Sequence, residues 1–272
     1  MRKAIISILV CLQLTSCSIS SYYRYGTDKK RIRGTEFYNM VKDSSWQARE
    51  EIVLKLFTEG YTPYRSRLYL PIRFNFFDSS QGKYLHVKYF VTSDYLSIGT
   101  NNDFMRIPMT PILAQKIADR FYCFLPTRKI VNDIYEQASV KLEPFPLTEA
   151  RDSFKTFYIH HLLIERERKG RGGIIAGIKK DIVITDKINS GPKTNKIAIY
   201  GWHKLDANPI QPLYTGHVNW YVDYSHGVRL VSKTIYIDEK KYDYTEILKN
   251  KNLRKILTDE DTNEFIRYPE HF

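Results

Sequence analysis

The runs LYLPIRFNFF (68–77) and KYLHVKYFVT (83–92), joined by DSSQG (78–82), decide the fold class. Both runs are rich in aromatic and β-branched residues, and the joining segment is polar and ends in glycine. That is the pattern of two antiparallel strands and their turn. A third run, Tyr95–Gly99, follows Ser93-Asp94 and predicts a small antiparallel meander. Upstream, Ser44 or Ser45 is placed to cap a helix from about Trp46 to Glu59, with Ile52, Val53, Leu56 and Phe57 on one face and Gly60 ending it.

Downstream, Thr110-Pro111 is a cap followed by a first-turn proline, and Leu113, Ile117 and Phe121 continue at helical spacing. A second helix is expected from near Thr127, using Ile130, Val131, Ile134 and Ala138. Pro144 and Pro146 break the chain before a third helix from about Thr148 to Lys169. The remainder reads as strands over Ile174–Thr185, Lys196–Trp202 and Val228–Ile237, with another over His217–Tyr224, and short helical turns near Tyr244–Leu257. This order predicts an α+β protein: antiparallel β-sheet segments with a central group of three helices. Residues 45–272 form one domain in this reading, with a candidate sub-boundary near residue 105, and residues 17–44 are a tether.

Composition narrows the class further. The 272 residues carry a net charge of +12 with 43% hydrophobic residues, which excludes a disordered chain. No apolar run of 18 residues exists beyond the extreme N-terminus, which excludes a polytopic membrane protein, and no fixed-period repeat is present. At the N-terminus, MRKAIISILVCLQLTSC (1–17) has a basic start, a short apolar stretch and small residues before a cysteine. Leu14-Thr15-Ser16-Cys17 resembles the lipobox of bacterial lipoproteins. The resemblance implies removal of residues 1–16, lipidation of Cys17 and a place in the cell envelope, anchored to a bacterial membrane, most simply the outer membrane at its periplasmic or surface face. A basic body held there favours anionic partners such as peptidoglycan or another envelope polymer. Nucleic acid is not an expected partner in that compartment. Once Cys11 leaves with the signal and Cys17 carries lipid, Cys123 is the only thiol without a stated role.

Chemistry-bearing residues concentrate between His203 and Arg229. One reading is a Cys/His hydrolase acting on amide bonds of peptidoglycan: Cys123 as nucleophile, His217 or His226 as base, and Asp223 orienting the base. Lys180, His203, Ser225 and Arg229 would bind substrate. No cofactor is needed in that reading. The competing reading is a non-catalytic envelope- or glycan-binding lipoprotein, supported by Trp202, Tyr214, Trp220, Tyr221 and Tyr224 around the histidines. A third gives His203, His217, Asp223 and His226 to a zinc ion in a metal-dependent hydrolase.

Two resemblances bear on these readings. Ser225-His226-Gly227-Val228-Arg229-Leu230 is similar to the Ser-His-Gly-Cys-Ile/Val-Arg-Leu motif of L,D-transpeptidases but lacks its cysteine. The blocks LPTRKIVNDIY (125–135), AGIKKD (176–181), IYGWH (199–203) and YVDYSHGVRL (221–230) resemble a family of exported bacterial proteins, which implies no reaction.

Overall fold

The computed structural model describes residues 32–191 and 194–270. Cys17, the export signal and the first half of the expected tether lie outside the described residues. Helices are α1 (Gly34–Val41), α2 (Trp46–Thr58), α3 (Tyr64–Arg67), α4 (Pro111–Arg120), α5 (Arg128–Gln137), α6 (Phe154–Arg168) and α7 (Tyr244–Lys249). The long strands are β1 (Tyr69–Asp78) and β2 (Lys83–Thr92). The shorter ones, in order, are β3 (Ser97–Gly99), β4 (Phe104–Arg106), β5 (Cys123–Phe124), β6 (Val140–Lys141), β7 (Ile175–Ala176), β8 (Lys180–Ile182), β9 (Ile199–His203), β10 (Pro209–Tyr214), β11 (His226–Gly227), β12 (Val231–Ser232), β13 (Thr234–Ile237) and β14 (Lys240–Asp243). The class is α+β.

The expected β1–β2 hairpin forms, with its register running from Tyr69 opposite Thr92 to Asp78 opposite Lys83. Its turn is set by Asp78, whose Oδ1 accepts from Ser80 N at 2.9 Å and Ser80 Oγ at 2.6 Å, a side-chain mimic of a backbone turn. Leu85, Val87, Tyr89 and Val91 of β2 point into the core while the residues between them are more exposed. The meander stops there. Strands β12 and β13 pair with β2, so β3 turns away and pairs with β4 instead. The main sheet runs β14-β13-β2-β12-β5, with β1 also on β2. A second sheet runs β10-β9-β8-β11, in which β11 is parallel to β8.

Helices α4 and α5 begin where the sequence predicts. Thr110 Oγ1 accepts from Leu113 N and Thr127 Oγ1 from Ile130 N, each at 3.2 Å. Helix α6 starts at Phe154 rather than near Thr148, because the preceding segment is engaged with Tyr224. That phenol accepts from Leu147 N and donates to Leu147 O, while Tyr224 N donates to Arg151 O. The strand expected over 174–185 is split at Gly177, whose φ of +91° and close approach to Leu142 O exclude a side chain. Residues 217–224 form turns and a single bridge, Lys196 to Val218, rather than a strand.

The tether boundary at residue 44 needs correction. Residues 34–41 are helical, Phe37 and Val41 are fully buried, and Phe37 meets the Phe154 ring edge-on at 6.0 Å. Tyr38 stacks on Tyr158 at 4.4 Å. The fold therefore includes α1. Phe37→Ala should destabilise the protein by about 3–5 kcal/mol, measured by urea unfolding; a tether residue would give no change.

Candidate functional site

Parallel pairing of β11 with β8 sets His226 directly beside Lys180. The next pair, Gly227 and Asp181, faces the other way, toward Tyr95. A Cβ on Gly227 would lie 2.6 Å from that ring and 2.7 Å from Lys179 Cβ, so the Ser-His-Gly order is needed for this close packing. Four side chains close the group around the Lys180–His226 pair. Asp223 Oδ1 lies 3.9 Å from His226 Nε2 and accepts from Ser225 N at 2.8 Å and Ser225 Oγ at 2.5 Å. Arg151 Nη2 donates to Asp223 Oδ2 at 2.8 Å. The Lys180 ammonium sits over the Trp202 ring at 5.2 Å.

Trp202 holds its place by an uncommon backbone, with φ +58°, a left-handed conformation that costs energy for a bulky residue. Behind the group, Lys179 is fully buried, with Nζ on Tyr224 O and 3.0 Å from His160 Nδ1.

Burial sets the protonation states. It pushes His226 down to about 4, against the pull of Asp223, and it lowers His160 and His161 strongly, helped by Lys179 and Arg106 respectively. It also lowers Lys179 to about 7, with Arg106 adding repulsion. Burial would raise Asp223, but His226 where it is protonated, the Ser225 hydroxyl, Lys180 and Arg151 outweigh it and hold the carboxyl well below its ordinary value.

The expected residues divide into a group and three outliers. His217, Asp223, Ser225, His226 and Lys180 come together: His217 stacks obliquely on Tyr221 at 4.6 Å, and the Tyr221 ring meets His226 edge-on at 6.0 Å. Lys180 lies on an inner strand, between β9 and β11.

Cys123 is elsewhere, on β5 in the main sheet. Its Sγ lies 3.2 Å from Tyr69 Oη and 3.3 Å from Phe121 O, with no histidine partner among the described residues, and burial pushes the thiol up to about 12. This geometry does not support a nucleophile.

His203 stacks on Tyr135 at 4.6 Å and places Nε2 3.2 Å from Asn132 Oδ1. It lines a cavity of about 10 Å³ with Asp181 and Tyr95, room for roughly one water. Arg229, expected to contact substrate, is 1% exposed; it donates to Thr92 O and Ile175 O and lies over the Tyr95 ring at 4.4 Å. Among the described residues no group of three His, Cys, Asp or Glu could hold a metal, so the four zinc candidates do not converge. His160 and His161 are buried.

Arg151 was not legible as a member, because it reaches Asp223 from a turn 72 residues away with no local pattern to mark it. Compared with protein-family models, curated proteins and solved structures, the chain matches none.

Two outcomes follow. Cys123 should resist iodoacetamide in the folded protein and react once urea unfolds it, as read by intact mass. Stability should fall as pH drops from about 6.5. His160, His161 and His226 are neutral when folded but gain protons when unfolded, so the unfolded state binds more protons and each contributes up to about 1.4 kcal/mol per pH unit. Asp181, raised by burial to about 6, opposes them with one proton. The net loss should appear between pH 6.5 and 5 in denaturant titrations.

Proposed function

We propose that this chain is a lipid-anchored protein of the bacterial cell envelope that binds an anionic envelope polymer, peptidoglycan first, without cleaving it. The anchor rests on the lipobox-like Leu14–Cys17, and the choice of partner on the basic charge of the body. The observation that carries the binding reading is a run of rings from the surface to the buried imidazole. Tyr214 (43% exposed) meets His217 at 5.1 Å, His217 meets Tyr221, and Tyr221 meets His226; Trp220 stands 49% exposed in the same segment. Exposed rings beside a cation such as Arg151 suit the faces of sugars and the backbone of short peptides.

Hydrolysis is the second reading, and one observation favours it. His226 is neutral at pH 7 and lies near an ionised carboxylate, as a general base acting through water would. Binding comes first because the imidazole of His226 is fully buried, whereas the rings of Tyr214 and Trp220 stand at the surface.

Soluble protein beginning at Ser18 should co-sediment with purified peptidoglycan sacculi and release no new muropeptides by mass spectrometry. Trp220→Ala and Tyr214→Ala together should cut retention several-fold. Muropeptides that appear with the parent protein and vanish in His226→Ala would replace binding with hydrolysis. Equal retention by the parent and the double variant would remove the ring-lined face from the reading. For the anchor, Cys17→Ala should move the full chain from the membrane fraction to the soluble fraction.

A further inference from the structure

Buried polar atoms without a partner are few in folded proteins, and each calls for a ligand, a water or a reactive role. Of fourteen such atoms among the described residues, five gather in one place. Trp202 Nε1, Arg151 Nε, His160 Nε2 and both ring nitrogens of His226 have no hydrogen-bond partner among the described residues, and all belong to the group around Lys180, Asp223 and Tyr224. His226 is 0% exposed and Trp202 is 3% exposed. The Lys180 ammonium, on a residue 6% exposed, meets the Trp202 ring face and donates no hydrogen bond among the described residues.

The surplus has a definite chemical sign. Lys180 supplies up to three N–H donors, Trp202 and Arg151 one each, and neutral His226 one donor and one acceptor. The carboxylate in the group, Asp223, is already engaged by Arg151 and Ser225. Two fixed cations, Lys180 and Arg151, stand against that one anion. The strained backbone at Trp202 holds the indole beside the ammonium although neither its N–H nor a regular strand conformation gains by it. A site rich in idle donors, with one excess positive charge, lacks an acceptor-rich anion.

We propose that Lys180, Trp202 and His226 form a carboxylate-binding pocket at the inner end of the ring-lined face. The pocket rests on the reading of that face as the ligand face, and it adds the substrate class: a small carboxylate group carried by a wall peptide or an acidic sugar. Tyr221, half-buried with its ring on His226, covers the pocket, and the bound group enters as that ring swings outward. One carboxylate oxygen takes the Lys180 ammonium, the other the indole N–H, and the His226 N–H completes the set. Charge-assisted bonds of this kind are the strong ones, so removing the ammonium costs at least about tenfold in affinity.

The test is a titration of the soluble protein beginning at Ser18, followed by the indole N–H resonances in two-dimensional NMR. The probes are acetyl-D-alanyl-D-alanine and its C-terminal amide, glucuronate, N-acetylmuramate and its methyl ester, and inorganic phosphate. The expected result is a saturable shift of the Trp202 indole N–H with carboxylates and not with the amide or ester. Comparing dialanine, glucuronate and N-acetylmuramate separates a peptide source from a sugar source. Lys180→Met should weaken the response at least tenfold, and Tyr221→Ala, which removes the cover, should keep the preference for carboxylate over amide. Equal responses to acid and amide, a response to phosphate alone, or a Trp202 resonance unmoved by every carboxylate would overturn the pocket. Because the parent protein carries the primary readout, a Lys180 variant that fails to fold leaves the test intact. A Trp202 shift with no retention on sacculi keeps the pocket and removes the wall reading; retention without the shift does the reverse.

Discussion

The buried guanidinium of Arg106 is the constraint on which the rest of the structure depends. It is 1% exposed and binds Asp94 through two bonds of 2.9 and 2.7 Å, then Glu165 through a third of 2.7 Å. Burial alone would weaken its hold on the proton, but Asp94 and Glu165 outweigh that and keep its pKa above the ordinary guanidinium value. Three segments meet there: β4, the turn after β2, and α6. Removing either carboxylate would leave a buried charge uncompensated, an effect of about 3–5 kcal/mol. Glu165 passes the linkage to Arg168, and Arg168 to Arg171 O, which fixes the end of α6.

Once α6 is fixed, the candidate site is positioned from behind. His160 on α6 holds the ammonium of Lys179, and Lys179 also holds Tyr224 O. That pair ties the helix to the start of β8 and to the segment leading into β11. Lys180 and His226 are the residues that follow these ties, so they project together on the opposite side. His160, kept neutral by burial and by a neighbouring ammonium, serves here as an acceptor in the support of the site, while His226, with no hydrogen-bond partner among the described residues, stands at its working side. Identical side-chain chemistry thus takes two roles through environment alone.

How far the sequence was legible follows from the range of each interaction. The β1–β2 hairpin and the caps at Thr110 and Thr127 are local patterns a few residues long, and they were readable. The fate of β3 was not, because it depends on β12 and β13 occupying β2 from more than a hundred residues away. The late start of α6 depends on Tyr224 in the same manner. In the site, the short span from His217 to His226 was readable as a cluster, whereas Cys123 stood out only because it is a lone thiol. Its apolar neighbours Phe124 and Leu125 pointed to burial, and burial is where it lies. Arg229 followed a basic residue's usual association with acidic ligands, but backbone carbonyls of Thr92 and Ile175 claim it.

Strand β10 pairs with β9 on one side and with no other strand among the described residues, and it carries Pro209 and Pro212 within six residues. Proline supplies no N–H to a neighbouring strand, so this edge is a poor template for another chain. Molecules confined to a surface meet one another far more often than molecules free in three dimensions, and always in similar orientations. On the proposed membrane anchor, an open edge beside exposed Ile210 and Tyr214 would invite lateral sheet growth. The two prolines leave those side chains free for other contacts while withholding the backbone, so the rim can be sticky without polymerising.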